Sequence, residues 1–361
     1  MNTPAAVHAL GQSIWLDNIT REILDDGTLK RYIDTLSVTG LTSNPSIFDN
    51  AIGNTAAYDE AIRAKAKAGL SGEGLFNELA LEDLRRAADL FRPIFDATAG
   101  VDGWVSMEVS PLLADDTAGT IAAAKLIHDQ AMRVNLFVKI PGTPAGIPAI
   151  EEAIFAGVPV NVTLLFSREH YLAAAEAYLR GLERRQAAGL SLDIASVASV
   201  FVSRWDAAVA GKVPAKLQNK LGIATSARTY RAYRELLASP RWQALAAAGA
   251  KPQRLLWAST GTKDPNASPI LYVETLAVSN TVNTMPEKTL LALAEHSGEL
   301  EYEMASATAA GETILSAYEA AGVNVDALAE RLQKEGAEAF VKSWKQLLQR
   351  IEQKSEALTS A

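Results

Sequence analysis

Cysteine is missing from all 361 positions, which excludes disulfides, thiol nucleophiles and thiolate metal ligation together. Histidine is scarce as well: His8, His128, His170 and His296 are the only four. None falls at the end of an apolar run, so a histidine-based metal site is not expected. Basic residues are outnumbered, 34 Lys and Arg against 42 Asp and Glu, for a net charge of −8 and a pI near 5.2. That balance argues against nucleic acid or an anionic membrane surface as a partner, and any phosphate must be met by a few local cations. No apolar stretch approaches the ~20 residues of a membrane-spanning helix. Positions 1–18 hold neither Lys nor Arg, unlike a secretory signal. The expected location is therefore the cytoplasm, where lack of cysteine costs nothing. The three Asn-x-Ser/Thr triplets at Asn18, Asn161 and Asn266 then carry no glycosylation reading.

What is present is a large apolar fraction, 48%, distributed as short runs separated by Ala-rich amphipathic stretches. Eight runs stand out, at 14–19, 37–44, 103–109, 136–140, 159–166, 195–202, 254–259 and 280–285. Helical patterns follow most of them, as at 117–132, 146–156, 167–188 and 227–238. Alternation of this kind implies a parallel sheet, and eight repeats suggest closure into an α/β (β/α)8 TIM barrel. The connections from run two to three and from six to seven, roughly fifty residues each, read as additional helices, since structureless loops of that length are rare. Beyond Pro286 the pattern is helical only, closing with an amphipathic stretch at 326–358 whose surface face is Glu, Lys, Arg and Gln. No Pro- or Ser-rich linker intervenes, so 1–361 is expected to be one barrel domain, with 287–361 a C-terminal helical extension packed on it.

Within this scheme Lys139 is anomalous. It stands in Leu136-Phe137-Val138-Lys139-Ile140-Pro141-Gly142, an ammonium inside a run that reads as a fully buried parallel strand. Burying a charge is costly, and losing the proton is one escape: a lysine with a pKa of ~10.4 is rarely neutral at pH 7, but desolvation can move it by several units. A neutral amine condenses with ketones and aldehydes to a Schiff base. The bland alternative is a buried stem whose head reaches solvent.

Other polar residues recur at matching depths. Thr42 and Asn44, Asn161 and Thr163, and Ser199 and Phe201 are pairs two apart on runs two, five and six; Asp17 ends run one and Glu108 lies near the end of run three. In a barrel that placement aims them into a common mouth. Taken singly, Asn44 before Pro45 reads as a turn, Thr163 as strand packing, Asp17 and Glu108 as helix caps, and Arg204 and Lys263 as solvated charges. Taken together they require a polar pocket, because buried polar groups need partners.

The stretches Leu41-Thr42-Ser43-Asn44-Pro45-Ser46, Ser106-Met107-Glu108-Val109, Leu136 through Pro141 and Asn161-Val162-Thr163-Leu164-Leu165-Phe166-Ser167 resemble, in order and spacing, the successive signatures of transaldolases. Over most of residues 10–290 the chain looks like the longer bacterial and plant branch of that family. The resemblance implies transfer of a dihydroxyacetone unit from sedoheptulose 7-phosphate to glyceraldehyde 3-phosphate, giving erythrose 4-phosphate and fructose 6-phosphate, with no metal or organic cofactor. It implies that Lys139 forms the Schiff base and that Asp17 takes the proton of the C4 hydroxyl as C3–C4 breaks. Glu108 would shuttle protons through a water held by Thr163. Asn44 and Asn161 would hold the dihydroxyacetone hydroxyls, with Thr42 and Ser199 lining the site. Arg204 matches the family's phosphate arginine. Its usual second arginine is absent from Trp257-Ala258-Ser259-Thr260-Gly261-Thr262-Lys263, where Lys263, helped by Ser259 and backbone amides, is the expected replacement. Gly142-Thr143-Pro144-Ala145-Gly146 lacks a P-loop lysine and reads as a strand-to-helix turn. Related aldolases that release free dihydroxyacetone are shorter and tend to carry Tyr where this chain has Phe201. A barrel that binds sugar phosphates without chemistry is the remaining rival. The expected partners are small-molecule sugar phosphates, and the expected assembly is a homodimer.

Overall fold

The computed structural model describes residues 3–298, 300 and 303–359. Eight parallel strands are present: β1 Gln12–Leu16, β2 Val38–Leu41, β3 Val105–Glu108, β4 Leu136–Pro141, β5 Val160–Leu165, β6 Ser196–Phe201, β7 Arg254–Ala258 and β8 Thr281–Met285. Their order is β2-β1-β8-β7-β6-β5-β4-β3, and β2 meets β3 through a parallel bridge between Gly40 and Trp104. There the Leu41 N–H donates to the Trp104 carbonyl and the Gly103 N–H to the Thr39 carbonyl, each at 2.9 Å. The result is a (β/α)8 barrel, as the alternation of runs predicts.

Strand alternation sorts the core into two parts. Outward residues such as Leu136, Val138 and Ile140 of β4, and Val160 and Val162 of β5, pack under the surrounding helices. Inward residues Trp15, Phe137, Val197, Leu256 and Val282 fill the barrel with Trp104. Trp104 and Phe137 stack with centroids 4.0 Å apart. Gly40 is what admits this aromatic filling, since a Cβ there would lie 2.7 Å from Trp15 Nε1 and from the Trp104 carbonyl.

The two long connections are helical, as expected. Pro45–Asn54, Asp59–Lys67 and Gly72–Ala97 lie between β2 and β3, and Ser203–Val209, Leu221–Ala238 and Pro240–Ala247 between β6 and β7. Helix starts follow local chemistry: the side chains of Asp116, Ser167 and Ser239 accept from the N–H groups of Gly119, His170 and Trp242.

Several boundaries differ from the sequence reading. β1 begins at Gln12 and stops at Leu16, leaving Asp17 just beyond it, and β2 is only four residues long. The helix expected at 227–238 starts six residues earlier, at Leu221. There the side chain of Asp206 accepts from the N–H groups of Leu221 and Gly222, a long-range cap with no local signal. Met132 leaves its helix with φ of 50°.

Past β8 come Glu287–Glu295, Met304–Ala320 and Val325–Thr359. Of the extension expected at 287–361, residues Glu299, Glu301, Tyr302, Ser360 and Ala361 lie outside the described residues, as do Met1 and Asn2 at the other end. The last helix is anchored by Arg350 to Asp49 at 2.6 Å, Lys354 to Asp59 at 2.7 Å and Ser46 to Ser343 at 2.8 Å. Its expected polar surface face has an exception. Gln333 is buried and donates to the carbonyls of Gly142 and Leu164 at the ends of β4 and β5. Leu164 has φ of 59°, a strained conformation for leucine that this clamp helps to hold.

Candidate active site

Register sets three of the expected site residues at one level. Glu108 of β3 is level with Lys139 of β4, and Lys139 with Asn161 of β5. Three polar side chains thus point inward at one height, directly above the aromatic filling. Lys139 is 6% exposed and Glu108 7%, and Lys139 Nζ stands 3.2 Å from Glu108 Oε2. The amine also donates to the Ser43 carbonyl at 3.2 Å. The solvent-reaching alternative for Lys139 is therefore not what the fold adopts.

Burial raises the Glu108 carboxyl above its ordinary value against the opposing pull of Lys139; Asp17 adds to the rise and Arg204 opposes it. Asp17 is raised in the same way by burial, opposed by Lys139, by the Thr42 hydrogen bond and by Lys263. The Thr42 hydroxyl donates to Asp17 Oδ1 at 2.7 Å and lies 2.6 Å from the Thr284 hydroxyl. Neither acid caps a helix; Thr20 caps the one after β1.

A cavity of about 140 Å³ opens above this layer. Asp17, Thr42, Asn44, Lys139, Thr163, Ser199, Phe201, Arg204, Ser259 and Lys263 all line it. Of the expected site residues only Glu108 and Asn161 do not. Glu108 sits behind Lys139. Asn161 is fully enclosed, its Nδ2 donating to Ser106 Oγ at 3.2 Å and its Oδ1 accepting from Ser199 Oγ at 2.7 Å. Asn44 has two roles, since its side chain caps the helix Pro45–Asn54 by accepting from the Ile47 N–H at 3.1 Å while it lines the cavity. Thr163 Oγ1 is buried without a hydrogen-bond partner among the described residues.

The outer cavity is cationic. Arg204, half-buried at the start of the helix after β6, has its Cζ 5.1 Å from the Phe201 ring centroid and 5.9 Å from that of Phe340. No carboxylate lies within ion-pair distance of it among the described residues. Burial pulls its guanidinium below the ordinary value, opposed by the charge of Glu108. Ser259, with φ of 56°, lies 2.9 Å from Ser203, hydroxyl to hydroxyl. Lys263 is exposed at the rim. An unpaired guanidinium beside a serine and a lysine suits an anion with several oxygens.

Sequence reasoning missed Thr284, Pro286 and above all Phe340, which also line the cavity. Phe340 arrives from the C-terminal helix, about two hundred residues after Lys139 in the chain, and its periodicity is that of any core position. Among the described residues no group of three or more His, Cys, Asp or Glu is placed to hold a metal, and no helix is long and apolar enough to cross a membrane.

Residues 14–351 match the model of the transaldolase/fructose-6-phosphate aldolase family. A transaldolase of Saccharopolyspora erythraea is 45% identical over 97% of this chain and 98% of its own length. A transaldolase of Thermobifida fusca is 45% identical over 97% of each chain. Transaldolase 2 of a Nostoc species is 41% identical, covering 97% of this chain and 96% of its own.

Proposed function

The chain belongs to the transaldolase/fructose-6-phosphate aldolase family and acts as a transaldolase; on that premise we propose that Lys139 carries the reaction as a covalent Schiff base. The observation that supports this role is the buried Lys139–Glu108 pair at 3.2 Å. A proton passed from Nζ to a carboxyl that burial already favours in its neutral form leaves an amine able to attack. The amine adds to the donor ketone carbon of sedoheptulose 7-phosphate. Glu108 then returns a proton so that the carbinolamine loses water and becomes an iminium. Thr163, with its unpartnered hydroxyl, holds the water that links Glu108 to this chemistry.

The iminium draws electrons from the C3–C4 bond. Asp17 accepts the C4 hydroxyl proton as that bond breaks, erythrose 4-phosphate leaves, and the three remaining carbons stay on Lys139 as an enamine. Attack of its carbon on the aldehyde of glyceraldehyde 3-phosphate, then hydrolysis of the new iminium, gives fructose 6-phosphate. Asn44, Thr42 and Ser199 hold the hydroxyls of the three-carbon unit, and Asn161 orients Ser199 from behind. Arg204, Ser259 and Lys263 take the phosphate. We place the enzyme in the cytoplasm as a single-domain protein that forms a homodimer, a state that light scattering would test.

A coupled assay of sedoheptulose 7-phosphate with glyceraldehyde 3-phosphate, run beside an assay for free dihydroxyacetone, tests the reading. Fructose 6-phosphate should form far faster than free dihydroxyacetone. Predominant release of the free ketone would place the chain with the aldolases of the family instead.

A further inference from the structure

The C-terminal helix, Val325–Thr359, contributes more than a packed exterior. Gln333, Gly336 and Phe340 lie at i, i+3 and i+7, on one face. Gln333 pins that face to the ends of β4 and β5 through the Gly142 and Leu164 carbonyls, at 3.0 and 2.9 Å. At Gly336 a Cβ would meet Leu164 Cδ2 at 2.9 Å and Arg204 Nη1 at 3.1 Å, so the missing side chain is the space the guanidinium occupies. The Phe340 ring, 7% exposed, forms part of the cavity wall. Its centroid is 5.5 Å from Lys139 Nζ and 5.9 Å from Arg204 Cζ, so one ring faces the reacting nitrogen and the candidate phosphate ligand at once.

We infer that this helix face is a positioning element of the active site: Phe340 holds Lys139 and Arg204 against one ring and keeps water off the three-carbon intermediate, setting the partition between transfer and release. The inference rests on the transaldolase reading above. On the transfer route the enamine carbon bonds to the aldehyde carbon. On the release route the same carbon takes a proton from water, hydroxide adds to the iminium carbon, and the C–N bond breaks. One water is consumed, and free dihydroxyacetone and the Lys139 amine result. An apolar ring over the nitrogen denies water its approach, and its face is turned to the positive charge of the iminium and of Arg204.

The test measures free dihydroxyacetone formed per fructose 6-phosphate formed, with KM and kcat, in wild type, Phe340→Leu and ring-retaining Phe340→Tyr, each checked for folding by circular dichroism. The Leu variant should raise that ratio about tenfold, the scale of losing a desolvated ring–cation contact, while Tyr stays near wild type. Gly336→Ala, which leaves the ring in place, should raise KM for phosphorylated donors with little change in kcat. A folded Leu variant that is slowed yet keeps the wild-type ratio would overturn the partition role, and an unchanged KM in Gly336→Ala would overturn the role toward Arg204. Wild-type protein that transfers nothing would instead remove the transaldolase reading, and this inference with it.

Discussion

At the N-terminal end of the barrel Arg254 and Asp102, 8% and 3% exposed, are as buried as Lys139 and Glu108 at the opposite end, yet the two ends handle their charges differently. Around Asp102 the polar atoms are engaged. Trp15 Nε1 donates to it at 2.8 Å, the Gly103 N–H at 3.2 Å and the Ser13 hydroxyl closely, while Arg254 donates to Ser13 at 2.8 Å and to the Val101 carbonyl at 2.6 Å. At the C-terminal end Glu108 Oε2 lacks a well-aligned hydrogen bond and Thr163 Oγ1 lacks any, among the described residues. Two carboxyls there are held above their ordinary values by burial. The same residue classes, buried alike, make a rivet where they are satisfied and line the candidate site where they are not.

The sharpest way to break this contrast is Lys139→Met. It should abolish turnover while leaving the melting temperature close to wild type, and normal turnover would remove the proposed mechanism. Asp102→Ala should do the reverse. Arg254 Nη2 lies 4.0 Å from Asp102 Oδ1, and leaving it buried without that acid is expected to cost about 3–5 kcal/mol of stability in urea unfolding, with kcat retained; a large loss of kcat without loss of stability would erase the distinction between the ends.

Glu108→Gln should slow the reaction by about 10² to 10³ through loss of acid–base catalysis. It also has a pH signature. A carboxyl raised by burial binds its proton more tightly when folded than unfolded, so its contribution to stability is fullest below the ordinary carboxylate range and is lost as pH rises through the folded value. The Gln variant should therefore lose less stability over that rise than wild type does, read as urea midpoints against pH. A steeper loss would contradict the sign. The smallest effect is expected at the rim: Lys263→Ala should raise KM for phosphorylated donors about tenfold, the scale of one charge-assisted hydrogen bond, and hardly affect free dihydroxyacetone as donor.

Much of the inner site was legible because a strand's period of two is rigid. Once Lys139, Glu108 and Asn161 are assigned to neighbouring strands, the pleat and the register bring them to one level. The residues that escaped depend on long-range packing. Phe340 belongs to a long helix in which it is one apolar position among many, and no local signal says that its turn lies over the barrel mouth. Asp102 precedes β3 in a loop, and its partners Ser13 and Arg254 look from sequence like ordinary strand-edge residues. The early start of the helix at Leu221 likewise depends on Asp206, fifteen residues away.

The most direct test of the central claim is borohydride reduction in the presence of fructose 6-phosphate, followed by peptide mapping. A three-carbon adduct on the amine of Lys139, absent from Lys139→Met, is the predicted result. An unmodified Lys139 in protein that still turns over the sugar phosphate, or an adduct on a different lysine, would contradict it.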